Sequence, residues 1–170
     1  TLEKITGLYV PCWLADCKVD AQIDAEARII STYTSDEYNV TRTKYYRINR
    51  AAKIAYDGVP ADGSKKIEDS LMTAIEPFDY TKFEQFQMSY LSGFFADKYD
   101  VTKDEVLPNI KARISGSAEN ILMNSVVGYT SVTPEYKNIR LVRTNWHYVM
   151  LPVWFLNYKY KGKDYEFAMN

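Results

Sequence analysis

The sequence contains very few cysteine and histidine residues, which bind structural zinc and carry out thiol redox chemistry. Among its 170 residues there are two cysteines and one histidine. A structural zinc site takes four Cys or His ligands, so we expect no metal and no other cofactor in this chain. Cys12 and Cys17 lie in a strand-like segment. At ~3.3 Å per residue they are too far apart for a disulfide, which needs Cα atoms within ~7 Å. Two free cysteines favour a reducing compartment.

Long hydrophobic runs and an excess of positive charge are also missing. No window approaches the ~18 apolar residues of a membrane span, and no signal peptide is recognisable. The net charge of −1 argues against capture of nucleic acid by the domain as a whole, because such domains usually present a basic face. The chain starts at Thr1 rather than at a methionine and stops at Asn170 within a strand pattern. We therefore expect one domain, residues 1–170, taken from a longer protein.

Aromatic residues are abundant, and tyrosine dominates them. The chain has 15 Tyr against 7 Phe and 3 Trp. A tyrosine ring packs against apolar atoms while its hydroxyl needs a polar partner or water. The excess therefore indicates half-buried strands, with a wet binding surface as the less common alternative.

Residues 19–56 carry the clearest strand pattern. Over residues 19–29 the odd positions are apolar and the even positions are polar, which is typical of a strand with one buried face. A turn at residues 35–39 leads to a second alternating segment at residues 40–56. Folding the two segments into a hairpin sets Ala25 opposite Ile48. The same register pairs Ala27 with Tyr46, Glu26 with Arg47 and Asp20 with Lys53.

Helical signals follow the hairpin. Residues 64–75 have apolar side chains four apart, and a short helix is expected at residues 89–98. Thr102–Glu105 form a capping-box pattern that opens a helix running to about Val127. Pro108 lies inside this helix, so we expect it to kink or to begin near Leu107. Its expected core-facing residues are Ile110, Ile114, Ile121 and Leu122.

Strands return after Gly128. We expect them at residues 138–142, 146–160 and 164–169, with a turn between the last two. The strand at 146–160 is apolar on both faces in its middle, which indicates a central place in a sheet. The sequence therefore predicts an α+β fold, in which antiparallel β-hairpins or a meander pack with two or three helices.

Residues suited to catalysis are present, but they form no recognisable constellation. A nucleophilic site would need Cys12 or Cys17 beside His147, and a buried structural thiol is the more common role in a strand. Glycosidase-type catalysis needs two carboxyls that face each other across a cleft. The acidic pairs here resemble helix capping charges instead. They are Glu68/Asp69, Asp97/Asp100 and Asp104/Glu105.

One basic run is the best candidate for a nucleic-acid or partner surface. It interleaves cations with aromatic rings, as proteins that bind single strands do. The alternative is that acidic residues of the preceding strand neutralise it, and the register above favours this alternative. The candidate residues are Arg42, Lys44, Tyr45, Arg47, Arg50 and Lys53.

Two segments echo each other. Residues 9–19 align without gaps on residues 150–160, and the Pro and Trp positions match. Proline belongs at a strand start, an edge or a bulge, and a Trp two residues later points to the same face. We expect both tryptophans to be largely buried, each in a strand that starts near its proline. We also expect the two strands to occupy related places in one sheet or in two packed sheets. The structural anchors predicted in this way are Pro11, Trp13, Pro152 and Trp154.

Several stretches together resemble an uncharacterised family of bacterial proteins. They are Ile5–Leu14, Ala96–Val101, Gly128–Val132, Leu151–Asn157, Tyr160–Lys163 and Phe167–Asn170. In that family the matching region follows an N-terminal zinc ribbon like those of transcription factors, and it precedes hydrophobic segments expected to span a membrane. The resemblance covers nearly the whole chain but supplies no catalytic residues.

These observations lead to three hypotheses about function. The first is a non-enzymatic interaction or sensing domain of a membrane-associated bacterial protein, placed in the cytoplasm or at the cytoplasmic face. Its protein partner is unknown, and any membrane contact would come from segments outside this chain. The alternative is an accessory domain of a zinc-ribbon protein that associates with nucleic acid. A hydrolase that uses carboxylates is the weaker third hypothesis.

Overall fold

The computed structural model describes residues 2–35, 38–67 and 69–170 of the chain. Its main elements are long strands, which extend well beyond the predicted segments. Strand β1 covers Leu2–Ser35 and β2 covers Tyr38–Asp62. A short helix α1 (Asp69–Ala74) and a two-residue strand β3 (Phe95–Ala96) follow. Helix α2 (Lys103–Asn124) precedes β4 (Ser131–Tyr160) and β5 (Lys163–Met169).

The fold is mainly β, so the predicted α+β class is wrong. Strands take up 58% of the chain and helices 21%. The helix expected at residues 64–75 shrinks to α1. At residues 89–98 the chain forms a single 3-10 turn, Met88–Leu91, and then β3. A strand replaces part of the helix expected at residues 89–98 because the backbone there pairs with β1. β3 runs parallel to β1, with Leu8 opposite Phe95.

The strands pair in the order β2-β1-β4-β5, with β3 added on β1. β4 is therefore central, as the sequence predicts. β4 and β5 are antiparallel, with Tyr160 opposite Lys163. The turn between them uses Lys161 and Gly162, whose φ values are 50° and 76°. Two successive positive φ values are typical of a type I′ turn, which matches the twist of the flanking strands.

The β1–β2 hairpin and its predicted register are confirmed. Asn49 donates a hydrogen bond to Asp24, and the Arg28 guanidinium lies 5.1 Å from the centre of the Tyr45 ring. These contacts join the positions that the register with Ala25 opposite Ile48 places side by side. The odd residues of β1 from Val19 to Ala27 are buried, as expected, whereas Ile29 is only half-buried. Of the turn predicted at residues 35–39, Ser35 belongs to β1 and Tyr38 and Asn39 belong to β2, while Asp36 and Glu37 lie outside the described residues.

Compact packing divides the chain into two units. The first contains the described residues up to Asp16 with Asp57–Ile110 and Asn145–Asn170, and the second contains Cys17–Tyr56 and Lys111–Thr144. The core of the first unit is formed by Val10, Cys12, Leu14, Met72, Leu151, Val153 and Phe155. A core cluster of the second unit is formed by Ala25, Ala27, Ile48 and Val126.

Helix α2 begins as the capping-box pattern predicts. The Thr102 N–H and hydroxyl donate to a Glu105 carboxylate oxygen, at 2.7 and 2.9 Å. The helix continues through Pro108 and ends at Asn124. Ile110, Ile114 and Leu122 are buried as expected, whereas Ile121 is 46% exposed and Ala118 is buried in its place. No helix in the described part of the chain is both long and apolar enough to cross a membrane.

Candidate functional site

A large groove opens in the first unit. Its volume is about 1040 Å³, and four separate chain segments line it. β1 and β2 supply one part of the wall, the segment between α1 and β3 supplies another, and β4 supplies the rest. The lining includes Tyr9, Asp16, Asp57, Tyr80, Lys82, Phe83, Glu84, Phe86, Tyr90, His147 and Tyr148.

Aromatic rings dominate the groove lining. Phe83 is 44% exposed and Phe86 is 51% exposed, and the rings of Tyr80 and Phe83 lie 5.5 Å apart. Tyr9 packs against Phe94, with ring centres 5.0 Å apart. Exposed apolar groups that cluster in a concave surface are typical of interaction sites. Single exposed apolar residues scattered over a surface are ordinary and indicate no such site.

The only histidine of the chain contacts a carboxylate in this groove. His147 Nε2 lies 2.8 Å from one carboxylate oxygen of Asp16. The other oxygen accepts the backbone N–H of Gly58 at 2.9 Å. The Gly58 hydrogen bond is the largest cause of a lowered Asp16 pKa, and His147 adds to it while partial burial opposes it. Through these two contacts Asp16, on β1, holds His147 of β4 and Gly58 of β2 in place at the groove wall.

The remaining charges of the groove are mainly acidic. The Tyr90 hydroxyl donates to Glu84 at 2.6 Å, which raises the Tyr90 pKa. The Lys82 ammonium lies 3.0 Å from Asp79, so a carboxylate already balances it. Asp57 lines the groove with an exposed side chain. Glu84 and Asp57 therefore give the groove a negative character.

The cysteines that could act as nucleophiles contact groups other than His147. Both thiols are buried, and Cys12 Sγ donates to the Ala61 carbonyl at 3.1 Å. Cys17 Sγ lies 4.0 Å from the Thr144 hydroxyl in the second unit. In the described part of the chain, no group of three or more His, Cys, Asp or Glu is placed to hold a metal ion. The expectation of a metal-free fold stays a prediction.

The acidic pairs tie loops and helix ends together. Asp97 accepts hydrogen bonds from Ser64 and Lys66, and Lys66 is the largest cause of its lowered pKa. Asp100 accepts the Lys65 N–H at 2.8 Å. Glu105 caps α2, and the Thr102 hydrogen bonds together with Lys65 lower its pKa to about 2. The pair Glu68/Asp69 falls outside the described side chains.

The basic run lies on β2 in the second unit, but it does not form one surface. Side chains alternate between the faces of a strand. Tyr45, Arg47 and Lys53 therefore occupy one face, and Arg42, Lys44 and Arg50 occupy the other. The ion pairs suggested by the register are absent among the described residues, because Asp20 binds Arg140 and Glu26 binds Arg28.

The expectations for the echoed segments are partly wrong. Trp154 is 40% exposed, whereas Trp13 is half-buried and donates from Nε1 to the Val101 carbonyl at 2.9 Å. Both strands begin far ahead of their prolines. Pro11 instead lies where β2 has just ended, and its carbonyl accepts the Gly63 N–H. Pro152 lies beyond the last β4–β5 pair, Trp154 with Met169. Proline has no backbone N–H to donate to a neighbouring strand. Where that neighbouring strand has already ended, no hydrogen bond of the sheet is lost.

Comparison with known proteins gives one informative result. The chain is similar to the uncharacterized protein YdjG of Bacillus subtilis (strain 168). The two are 35% identical over 169 residues, which cover 99% of this chain and 50% of YdjG. The chain therefore spans about half the length of this curated relative. No model of a known family matches the sequence, and no solved structure matches the chain.

The similarity to YdjG supports a bacterial origin and says nothing about activity. YdjG is a bacterial protein whose name assigns it no activity. The likeness therefore points to no catalytic residue, and the zinc ribbon and membrane segments of the earlier resemblance stay predictions. The groove of the first unit is therefore the candidate functional site.

Proposed function

We propose that this chain is a non-enzymatic interaction domain, and that the groove of the first unit binds a segment of a partner protein. The observation that carries the proposal is the set of exposed rings around a cavity of about 1040 Å³. Phe83, Phe86 and Tyr90 leave much of their apolar surface in water. Covering such surface supplies most of the energy of a typical recognition site.

The chemistry of the lining favours a particular kind of segment. An aromatic or aliphatic side chain fills the space between the rings, because the lining there is mostly apolar. A neighbouring Arg or Lys then meets Asp57 or Glu84 at the wall. A cation also gains from the faces of the tyrosine rings. The occupant that we propose is therefore a peptide segment with an apolar anchor next to a basic residue.

Selection from a random peptide library displayed on phage tests this proposal. The immobilised 170-residue chain is the bait, and the Phe86→Ala variant serves for counter-selection. We expect the enriched peptides to share an aromatic or aliphatic residue beside Arg or Lys. A consensus dominated by acidic residues, or no enrichment over the Phe86→Ala variant, would contradict the proposal.

The two other hypotheses from the sequence have less support. Nucleic-acid binding needs a continuous basic face, and the β2 cations are divided between two faces. A carboxylate-dependent hydrolase needs two facing carboxyls across a cleft, and Asp97, Asp100 and Glu105 bind backbone and side-chain donors nearby instead.

We also propose that the parent protein is membrane-associated, with this domain in the cytoplasm or at the cytoplasmic face. The resemblance to a bacterial family with hydrophobic C-terminal segments supports this placement. Fractionation of cells that express the full-length parent tests it. Recovery of the parent from the membrane fraction, with this domain cleaved by protease only after the cells are opened, is the expected result. Recovery in the soluble fraction would contradict it.

A further inference from the structure

Strand β2 forms a long edge of the sheet in the second unit. It is the terminal strand of the pairing order, and β1 is its partner among the described residues. The strand has 25 residues, and its proline, Pro60, lies outside the second unit. Natural edges are often shortened, bent, interrupted by proline or lined with charged side chains, because an open edge can pair with another chain. A row of like charges repels a second copy of the same edge, but it attracts a strand of opposite charge. β2 has no proline from residue 38 to residue 56.

This edge carries charge of one sign. From Asn39 to Tyr56 the sequence has five Arg or Lys residues and no Asp or Glu. None of the five belongs to an ion pair with a described carboxylate. The acidic side chains of β1 are engaged elsewhere, since Asp20 binds Arg140, Glu26 binds Arg28 and Asp24 accepts from Asn49. The cations are Arg42, Lys44, Arg47, Arg50 and Lys53.

The cations flank the edge on both faces of the sheet. Arg47 and Lys53 project from one face, and Arg42, Lys44 and Arg50 project from the other. This division weakens the case for a nucleic acid, which would lie along one face. It suits a strand added beside β2, because the side chains of such a strand also alternate between the two faces.

We propose that the β2 edge between Arg42 and Lys53 accepts an acidic, extended segment of a partner protein as an additional strand. The backbone of the segment forms ladder hydrogen bonds with the outer edge of β2, as in other cases of strand addition. Its Asp and Glu side chains lie opposite the β2 cations, and opposite charges in directly facing positions stabilise a sheet. None of the residues from Arg42 to Lys53 lines the groove of the first unit, so either proposal can fail without the other.

Amide hydrogen exchange of the 170-residue chain tests the proposal. The probe is a synthetic peptide of about ten Glu, Thr and Val residues, at the upper end of usual strand lengths, with glutamates at both odd and even positions. We expect the peptide to slow exchange at alternate amides of β2 between residues 42 and 53, and at no comparable series elsewhere. The same peptide with a central proline should protect none of them, because proline removes a donor from the ladder.

The charge requirement is tested with matched variants. Replacing both Arg47 and Lys53 with alanine should weaken binding of the acidic peptide about three- to ten-fold, from the usual size of cross-strand charge pairs. Lys111→Ala removes an exposed cation from α2 and should leave the affinity unchanged. Three results would overturn the proposal: no protected β2 amides, equal binding of the proline peptide, or tighter binding of a single-stranded oligonucleotide than of the peptide.

Discussion

His147 Nε2 lies 2.8 Å from Oδ2 of Asp16, while Oδ1 of the same carboxylate accepts the Gly58 N–H at 2.9 Å. One carboxylate thus connects three strands at the wall of the aromatic groove. The side chain of Asp16 is 35% exposed, so water screens the contact only in part.

Asp16 should stabilise the fold in a pH-dependent way. Its pKa is lowered below 3.8, first by the Gly58 hydrogen bond and then by His147. A carboxylate whose folded-state pKa is depressed contributes stability above its unfolded pKa and loses it as the pH falls through the folded pKa. Asp16→Ala should therefore cost about 1 kcal/mol at pH 7 after allowance for solvent screening. Urea unfolding should show this difference shrinking below pH 3.8, and a constant difference would be inconsistent with the contact.

Glu105 should make the start of α2 sensitive to acid. The backbone N–H and hydroxyl of Thr102, with Lys65, lower the Glu105 pKa from 4.5 to about 2. By the same rule, its stabilising effect is complete above pH 4.5 and disappears as the pH falls through about 2. Glu105→Gln should lower the melting temperature at pH 7 and converge with the wild type in acid. Asp104→Asn, in the same turn, is the control for the general effect of charge at a helix start.

Ile23 tests the predicted face of β1. It is 0% exposed in the second unit, and replacing a buried isoleucine with alanine typically costs ~2–5 kcal/mol. Gln22→Ala changes the adjacent, exposed position and should cost less than about 0.5 kcal/mol. Equal effects of the two substitutions in urea unfolding would mean that the buried face is assigned wrongly.

Trp13 and Trp154 should differ in their effect on stability, although they occupy matching positions of the echo. Trp13 donates to the Val101 carbonyl, and its ring packs edge-on against Tyr148. Trp13→Phe should cost ~1–3 kcal/mol because it leaves that carbonyl without the donor. Trp154→Phe should cost less than about 1 kcal/mol, since the ring is 40% exposed. Thermal unfolding of both variants measures the two losses of stability. Equal losses would contradict this prediction.

The parts of the fold that follow local patterns could be predicted from the sequence. The register of β1 and β2 follows from the alternation of apolar and charged residues. The start of α2 follows from the spacing of Thr102 and Glu105. In the first part of β1 the alternation is broken. Val10, Cys12 and Leu14 are buried at even positions, whereas the buried positions are odd from Ala15 on, and Pro11 is buried as well. A strict period of two therefore misses the continuous strand.

The groove could not be predicted in the same way. Tyr9, Asp57, Phe86 and His147 come from four separate segments, and no local spacing connects them. The region around Phe86 has an aromatic-rich sequence without a regular period, which predicts a loop but not its position beside other strands. The 3-10 turn and β3 that replace the expected helix depend on a long-range contact, the Asp97 N–H with the Tyr9 carbonyl. The error in fold class comes from this lost helix, from the shortened helix at residues 64–75 and from strands that extend well beyond the predicted segments.

The most direct test of the central claim is the affinity of the library-selected peptide, measured by isothermal titration calorimetry. Phe86→Ala should weaken binding at least ten-fold, as expected for an aromatic residue at the centre of an interface. Asp57→Asn should weaken binding less and reduce its dependence on salt. Tyr136→Ala removes an exposed ring, 54% accessible, in the second unit and should change nothing. If Phe86→Ala binds the peptide as tightly as the wild type does, the groove is not the interaction site.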